Sequence, residues 1–250
     1  MIFDIPTIII IVTIFFASLV RTATGFGFAL VAIPILSFFL EPQEAVAYTM
    51  IFQTISTLPI AFINFHKKEW KYSIKLLSFS LTGLIPSVIL LIYIPIVIVY
   101  ALVAICVLVA LILVATGVKI KSSLNLYHWF LVGFIAGFMH GLAGVSGPPI
   151  LAILHADDTL SKNSKRQVMA IFFLFAGLLS LIPILIHSPD VLFDINLLGL
   201  LFFSMISGIY LGQKVFTSMS ASQFHICTLV LMSISSVLAI FQLFKFTKII

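Results

Sequence analysis

Two apolar stretches of this chain, residues 5–40 and 124–156, are longer than one bilayer crossing needs, and each is interrupted by glycine and proline at a corresponding point. One crossing takes about 20 apolar residues, whereas these run to about 36 and 33. The first is broken at Thr24-Gly25-Phe26-Gly27, with Pro34 beyond. The second is broken at His140-Gly141-Leu142-Ala143-Gly144-Val145-Ser146-Gly147-Pro148-Pro149. Six further apolar runs, 45–65, 76–93, 96–118, 168–186, 195–211 and 224–244, bring the total to about eight hydropathic spans. With 62% of 250 residues apolar and 8% charged, the chain lacks the polar surface that a water-soluble globule requires. The expected class is an all-α polytopic membrane protein, multi-pass in the cytoplasmic cell membrane with the lipid bilayer as its surroundings. Soluble enzymes, nucleic-acid binders and disulfide-stapled secreted domains are disfavoured.

The net charge of +5 does not point to nucleic acid, because the basic residues sit between apolar runs rather than in one stripe, as in the cytoplasmic loops of membrane proteins. Cys106 and Cys227 each lie within an apolar run and read as small core residues, not as a disulfide or a metal pair. The first eleven residues contain Asp4 and Pro6 but no Lys or Arg, so they are expected to open the first helix rather than to form a cleaved signal.

Pro34-Ile35-Leu36 recurs as Pro149-Ile150-Leu151, 115 positions on, and Thr82-Gly83 with Ser87 recurs as Ser207-Gly208 with Gly212, 125 positions on. These spacings predict two homologous halves, 1–121 and 122–250, each opening with a broken helix, with extra loop in the second half around 156–166. The basic residues discriminate between two topologies. If each long segment is one crossing, Lys67, Lys68, Lys71, Lys75, Lys119, Lys121, Lys245 and Lys248 face Lys162, Lys165, Arg166 and Lys214, eight against four. If each bends at its break and crosses twice, eleven basic residues, Arg21 included, share one side and only Lys245 and Lys248 take the other. The second parse also gathers Asp4, Glu41, Glu44, Asp190 and Asp194 on the outer face. It satisfies the positive-inside rule and makes the halves inverted, with the C-terminus outside, a plan recurrent among transporters. The pieces 28–40 and 147–156 make only about 15–20 Å of helix, short for a hydrocarbon core of about 30 Å, so half-helices that stop midway are the alternative.

A glycine-rich break at membrane depth frees backbone groups that hydrocarbon cannot satisfy, so it belongs where it is buried in protein or lines a cavity. The helix restarting after such a break offers free N–H groups and a positive dipole end, both suited to an anion. The expected site therefore combines Gly25, Gly27, Gly141, Gly144, Gly147 and Pro148 with the hydrogen-bonding side chains of Thr24, Thr49, Gln53, His140 and Ser146. Arg21 is the charge within an apolar segment and a functional residue by default, with interfacial snorkelling as its bland reading. Arg166, at the mouth of the sixth segment, is a second cationic clamp or an interfacial anchor. His140 has the residue type to couple protons to transport, or it is a hydrogen-bonded structural histidine. The other histidines lie at segment ends.

Gly144-Val145-Ser146-Gly147 also spells the G-x-S-G of intramembrane serine proteases, but two prolines follow and no glycine-packed catalytic histidine does. No G-x-x-x-x-G-K-[ST] loop is present, and loops this short leave no room for an ATPase domain, so the expectation is gradient-driven, with no cofactor and no metal. A non-transporting subunit or chaperone of another membrane complex is the second reading; self-association into a homo-oligomer stays open.

Thr24-Gly25-Phe26-Gly27-Phe28-Ala29-Leu30 leading to Ile33-Pro34-Ile35-Leu36, then Gln43-Glu44-Ala45-Val46, resembles the first half of the sulfite exporter TauE/SafE family of permeases. Gly144-Val145-Ser146-Gly147-Pro148-Pro149 is similar to that family's second glycine motif, and Lys165-Arg166-Gln167 before Phe172-Phe173 to the segment after it. The resemblance spans essentially the whole chain and implies a duplicated helical permease, not an enzyme, that moves a small anion such as sulfite or an organosulfonate. Phe28-Ala29 replaces the usual longer glycine run and Ser146 stands where glycine is common, changes that narrow or re-polarise the implied cavity.

Overall fold

The computed structural model describes residues 4–62, 67–116, 125–155, 157, 159–187, 195–218 and single positions between 223 and 244. Among them the chain is helical without strands: α1 (Ile5–Thr24), α2 (Phe28–Leu36), α3 (Pro42–Ala61), α4 (Lys67–Tyr93), α5 (Ile96–Ala115), α6 (Leu126–Ala143), α7 (Gly147–Leu154), α8 (Lys162–His187) and α9 (Ile195–Ser218). Lys119, Lys121, Asp190, Asp194, Cys227, Lys245 and Lys248 lie outside the described residues, as does most of the 224–244 segment.

Local chemistry sets the helix ends. Asp4 caps α1 by accepting the Thr7 N–H at 3.2 Å, with Pro6 in the first turn, and Asn125 caps α6 by accepting the His128 N–H at 3.1 Å. α1 stops at Gly25 and α6 at Gly144, both with left-handed backbone that other residues adopt only under strain. Five helices, α1, α4, α6, α8 and α9, are long and apolar enough to cross a membrane. Their outward faces are apolar too: Ile85 and Ile89 on α4, Ile182 and Ile186 on α8, Phe203 and Tyr210 on α9 stand more than half exposed. So extensive an apolar surface suits hydrocarbon, not water. On α5, Ile98, Ile105 and Ile112 repeat the pattern at seven-residue spacing.

Glycine sets the helix pairing. A methyl group on Gly133 or Gly137 of α6 would strike Phe79 or Ser80 of α4, and one on Gly83 of α4 would strike Phe134. Gly208 and Gly212 of α9 meet Phe15 and Leu19 of α1 in the same way, as close-packed membrane helices require. In both pairs the numbers rise together, so α4 runs parallel to α6 and α1 parallel to α9. Between α3 and α8 the order reverses. Gln167 Nε2 donates to the Ala61 carbonyl at 3.4 Å, while Gly177, further along α8, abuts Thr54, earlier in α3.

These directions fix the faces. The Ser73 hydroxyl donates to the Val168 carbonyl at 3.0 Å and Arg166 Nη2 to Gln213 Oε1 at 3.1 Å, so α4 and α8 begin where α9 ends. Every described Lys and Arg therefore lies toward one end of the bundle, and Asp4, Glu41 and Glu44 toward the other. Tyr72, near the start of α4, meets Trp129 at the start of α6 with ring centroids 5.3 Å apart, and its hydroxyl donates to Asp157, just past α7. The chain thus enters and leaves the second break on the same, basic face.

Three expectations change. Lys67, Lys68, Lys71 and Lys75 form the first turns of α4 rather than a loop, and Arg166 lies inside α8, because helix continues past the apolar run into amphipathic turns. The single-crossing parse needs Lys67–Lys75 and Lys162–Arg166 on opposite faces, whereas Lys68 pairs at 3.5 Å with Asp157 of the loop leading into α8. The two Pro-Ile-Leu runs take different places in their helices: Pro34 sits late in α2 and Pro149 early in α7, while the capping glycines Gly25 and Gly144 lie 119 positions apart.

Candidate functional site: two broken helices around Arg21

At the first break Gly25 (φ 85°) and Gly27 (φ 99°) turn the chain between α1 and α2, while Thr24 Oγ1 accepts the Phe26 N–H at 3.1 Å. At the second, the Gly144 N–H closes onto the His140 carbonyl at 2.7 Å, and Ser146 leads into α7. The breaks interlock. A methyl group on Gly147 would lie 2.5 Å from Phe26 Cβ, and one on Gly144 3.0 Å from Ala29 Cβ. Gln53 Nε2, from the middle of α3, donates to the Gly144 carbonyl at 3.4 Å. Between Phe26, Gly27, Gly144, Gly147, Pro148 and Phe173 there is no room for a water molecule, so the breaks are closed upon one another in this conformation.

Arg21 occupies the last turn of α1 with 0% of its surface exposed. Its Nη1 donates to the Gly25 carbonyl, and its Cζ sits 4.4 Å above the centre of the Phe173 ring. A desolvated cation over an aromatic face gains about 2 kcal/mol, far less than the cost of burying an isolated charge. Nε and Nη2 make no hydrogen bond. Arg166, itself largely buried, packs its stem against the same turn, its Cγ 3.1 Å from where a Gly25 methyl would be. Among the described residues the one ion pair is Lys68–Asp157 at the rim, so no described carboxylate neutralises Arg21.

His140, fully buried in the last turn of α6, holds its Nδ1 3.0 Å from Ser146 Oγ. Its ring lies 5.7 Å from that of Phe173, so the imidazole and the Arg21 guanidinium flank the same aromatic. Its Nε2 has no partner, nor has the buried Thr49 hydroxyl, one turn from Gln53 on α3. A buried guanidinium offering two free N–H groups, with glycine-opened helix starts at both breaks and a free hydroxyl on α3, can hold an oxyanion.

The structure thus brings together Arg21, Thr24, Gly25, Gly27, Gln53, His140, Gly144, Ser146, Gly147, Pro148 and Arg166, with Thr49 one turn away. Gly141 is elsewhere. It packs against Ser87 and Leu84 of α4, where a side chain would separate α6 from α4. Thr24 spends its hydroxyl on its own turn. Sequence reasoning missed Phe173, the platform under Arg21, and Phe26, the wedge filling the Gly147 notch. An aromatic between two glycines was the available signal for Phe26; Phe173 lay in an unremarkable Phe-Phe run.

The family model described as "Sulfite exporter TauE/SafE" matches residues 10–239. The chain belongs to the TauE/SafE family. TauE/SafE is a transporter family, and the five apolar helices agree in making this member a multi-pass membrane protein of transmembrane transport. Neither curated proteins nor solved structures gave a match. The match reaches across both breaks, so this TauE/SafE chain carries Arg21 and His140 alike within the family region.

Proposed function

We propose that this TauE/SafE protein carries a small sulfur oxyanion or organosulfonate across the cytoplasmic membrane by a gradient-driven mechanism, binding it between the two broken helices. The observation that carries this reading is Arg21: a fully buried cation with two free donors and, among the described residues, no carboxylate partner. Because Nη1 is tied to Gly25, the free Nε and Nη2 form the side-on fork that matches two oxygens of one anion. A sulfonate, sulfite or carboxylate suits that fork, and chloride does not. Thr49, Gln53, Ser146 and the α2 and α7 starts complete the shell, and Arg166 sets charge preference at its edge.

The bundle supports inverted halves: parallel α1–α9 and α4–α6, antiparallel α3–α8, caps 119 positions apart and basic residues at one end. The basic end is then cytoplasmic. Transport requires the interlocked breaks to part, one half rocking against the other. In proteoliposomes, the protein should accelerate efflux of at least one of labelled sulfite, methanesulfonate, taurine or thiosulfate over empty vesicles. Efflux no faster than from empty vesicles for all four overturns the reading.

A further inference from the structure

The buried imidazole has a purpose that anion binding alone does not give it. The groups facing His140 are Arg21 of α1, Phe172 and Phe173 of α8, with Arg166 of α8 beyond Gly25, Ser146 at the start of α7, and Gln53 of α3; Ser87 of α4 sits one residue along, at Gly141. The two charged members are arginines. Among the described residues no carboxylate reaches this group: Glu69 lies in the first turn of α4 and Asp157 at the rim. In the tautomer that donates Nδ1–H to Ser146 Oγ, the ring presents Nε2 as a buried lone pair with no partner.

We propose that the site takes up one proton with each anion, and that His140 Nε2 receives it. Resting on the anion reading above, this names the coupling ion. In the empty site a proton on the ring would add a cation beside Arg21 with no described carboxylate to balance it. An anion on the Arg21 fork removes the like-charge penalty, and a proton that enters with it converts Nε2 from a lone pair into a further N–H donor toward that anion. No bond of the anion changes; one N–H bond forms. Binding is reciprocal: the factor by which the anion favours the proton is the factor by which the proton favours the anion. A monovalent anion then travels with its proton as a neutral pair, driven by the pH difference and the anion gradient but not by membrane potential. The Phe173 ring touches both the imidazole and the guanidinium, so one anion on the Arg21 fork lies within reach of both heads.

The test is titration calorimetry of the full-length protein in nanodiscs with methanesulfonate and thiosulfate, both fully ionised near neutral pH, so that neither contributes protons of its own. Each titration is run in two buffers of different ionisation enthalpy across about pH 5–8. Wild type should take up close to one proton per anion on the alkaline side, with Kd rising about tenfold per pH unit there. His140→Gln should bind with no proton uptake and a flat pH profile; His140→Asn serves if the longer amide does not fold. Wild-type binding with no uptake and a flat profile overturns the proton role and leaves the anion site standing. Uptake that survives in the folded His140 variant assigns the proton to another group and overturns this inference. Absence of binding by either probe at any pH overturns the anion reading, and the coupling with it.

Discussion

The two breaks use one backbone device for two chemistries. Each ends a long helix with a left-handed glycine, at Gly25 and Gly144, and restarts a helix of eight or nine residues three positions later. Four residues before the glycine, the first carries Arg21 and the second His140. One is a permanent cation, the other a base that is neutral unless given a reason to charge. The first break needs two glycines with positive φ because its turn carries Phe26 into the Gly147 notch; the second needs one, and uses Ser146 where the first has Gly27. Backbone form is shared between the breaks, and the side chain preceding the glycine decides what each contributes.

The largest effect expected from breaking this comparison is at Arg21. Arg21→Met should lower anion flux in proteoliposomes about a hundredfold or more, the weight of one to two charge-assisted hydrogen bonds. The same variant should unfold at higher temperature, because it deletes a buried charge that no acid among the described residues neutralises. His140→Gln, by contrast, should keep most of the flux at high pH, where proton uptake adds least to wild-type binding. Equal loss in the two variants would erase the distinction between the breaks.

Next comes the interlock. Gly147→Ala places a methyl group 2.5 Å from Phe26 Cβ and should cost about 1–3 kcal/mol in unfolding free energy, as overpacking does. Phe26→Ala in the same chain should recover part of it, since two of the three nearest atoms, Cγ and Cδ2, belong to the ring. Thr49→Val removes a buried hydroxyl that has no partner, so stability should hold or rise while anion affinity falls about threefold to tenfold. An unchanged Kd would remove Thr49 from the site.

The fold was legible where composition and glycine spacing speak: the membrane class, the two breaks and the small-residue faces of α4 and α9. The matching geometry of the two breaks was not, because Pro-Ile-Leu is a short apolar match, whereas what the breaks share is the helix caps at Gly25 and Gly144, visible only as backbone conformation. Among the site residues, Arg21 was legible as a charge in an apolar segment. Its burial was not, since snorkelling and burial share one sequence and differ in what packs above the guanidinium, here Phe173 from α8. Gly141 carried the same glycine signal as Gly144 and yet serves helix packing, because it is one turn short of the break.

The smallest effect lies at the rim, remote from both breaks. The hydroxyls of Thr159 and then Tyr72 donate to Asp157, and with Lys68 nearby they hold its carboxyl well below the usual carboxylate range. A carboxyl depressed in the folded state adds stability above its unfolded pKa of about 4 and loses it as pH falls below that value toward the folded one. At this partly exposed edge screening limits the effect to less than about 1 kcal/mol. Thermal unfolding followed from neutral pH to about pH 3 should therefore show a slightly steeper acid loss in wild type than in Asp157→Asn. Identical acid slopes would mean that the rim does not tie α7 to α4.

The most direct test of the central claim, an anion held on the Arg21 fork between the two breaks, is thermal stabilisation of purified wild type and Arg21→Gln by sulfite, methanesulfonate, taurine, thiosulfate and chloride. An anion at 100 times its Kd should stabilise wild type by about 2.7 kcal/mol. The account predicts that shift for at least one sulfur anion, little for chloride, and none in Arg21→Gln. Equal stabilisation of the two proteins by the same anion would contradict it.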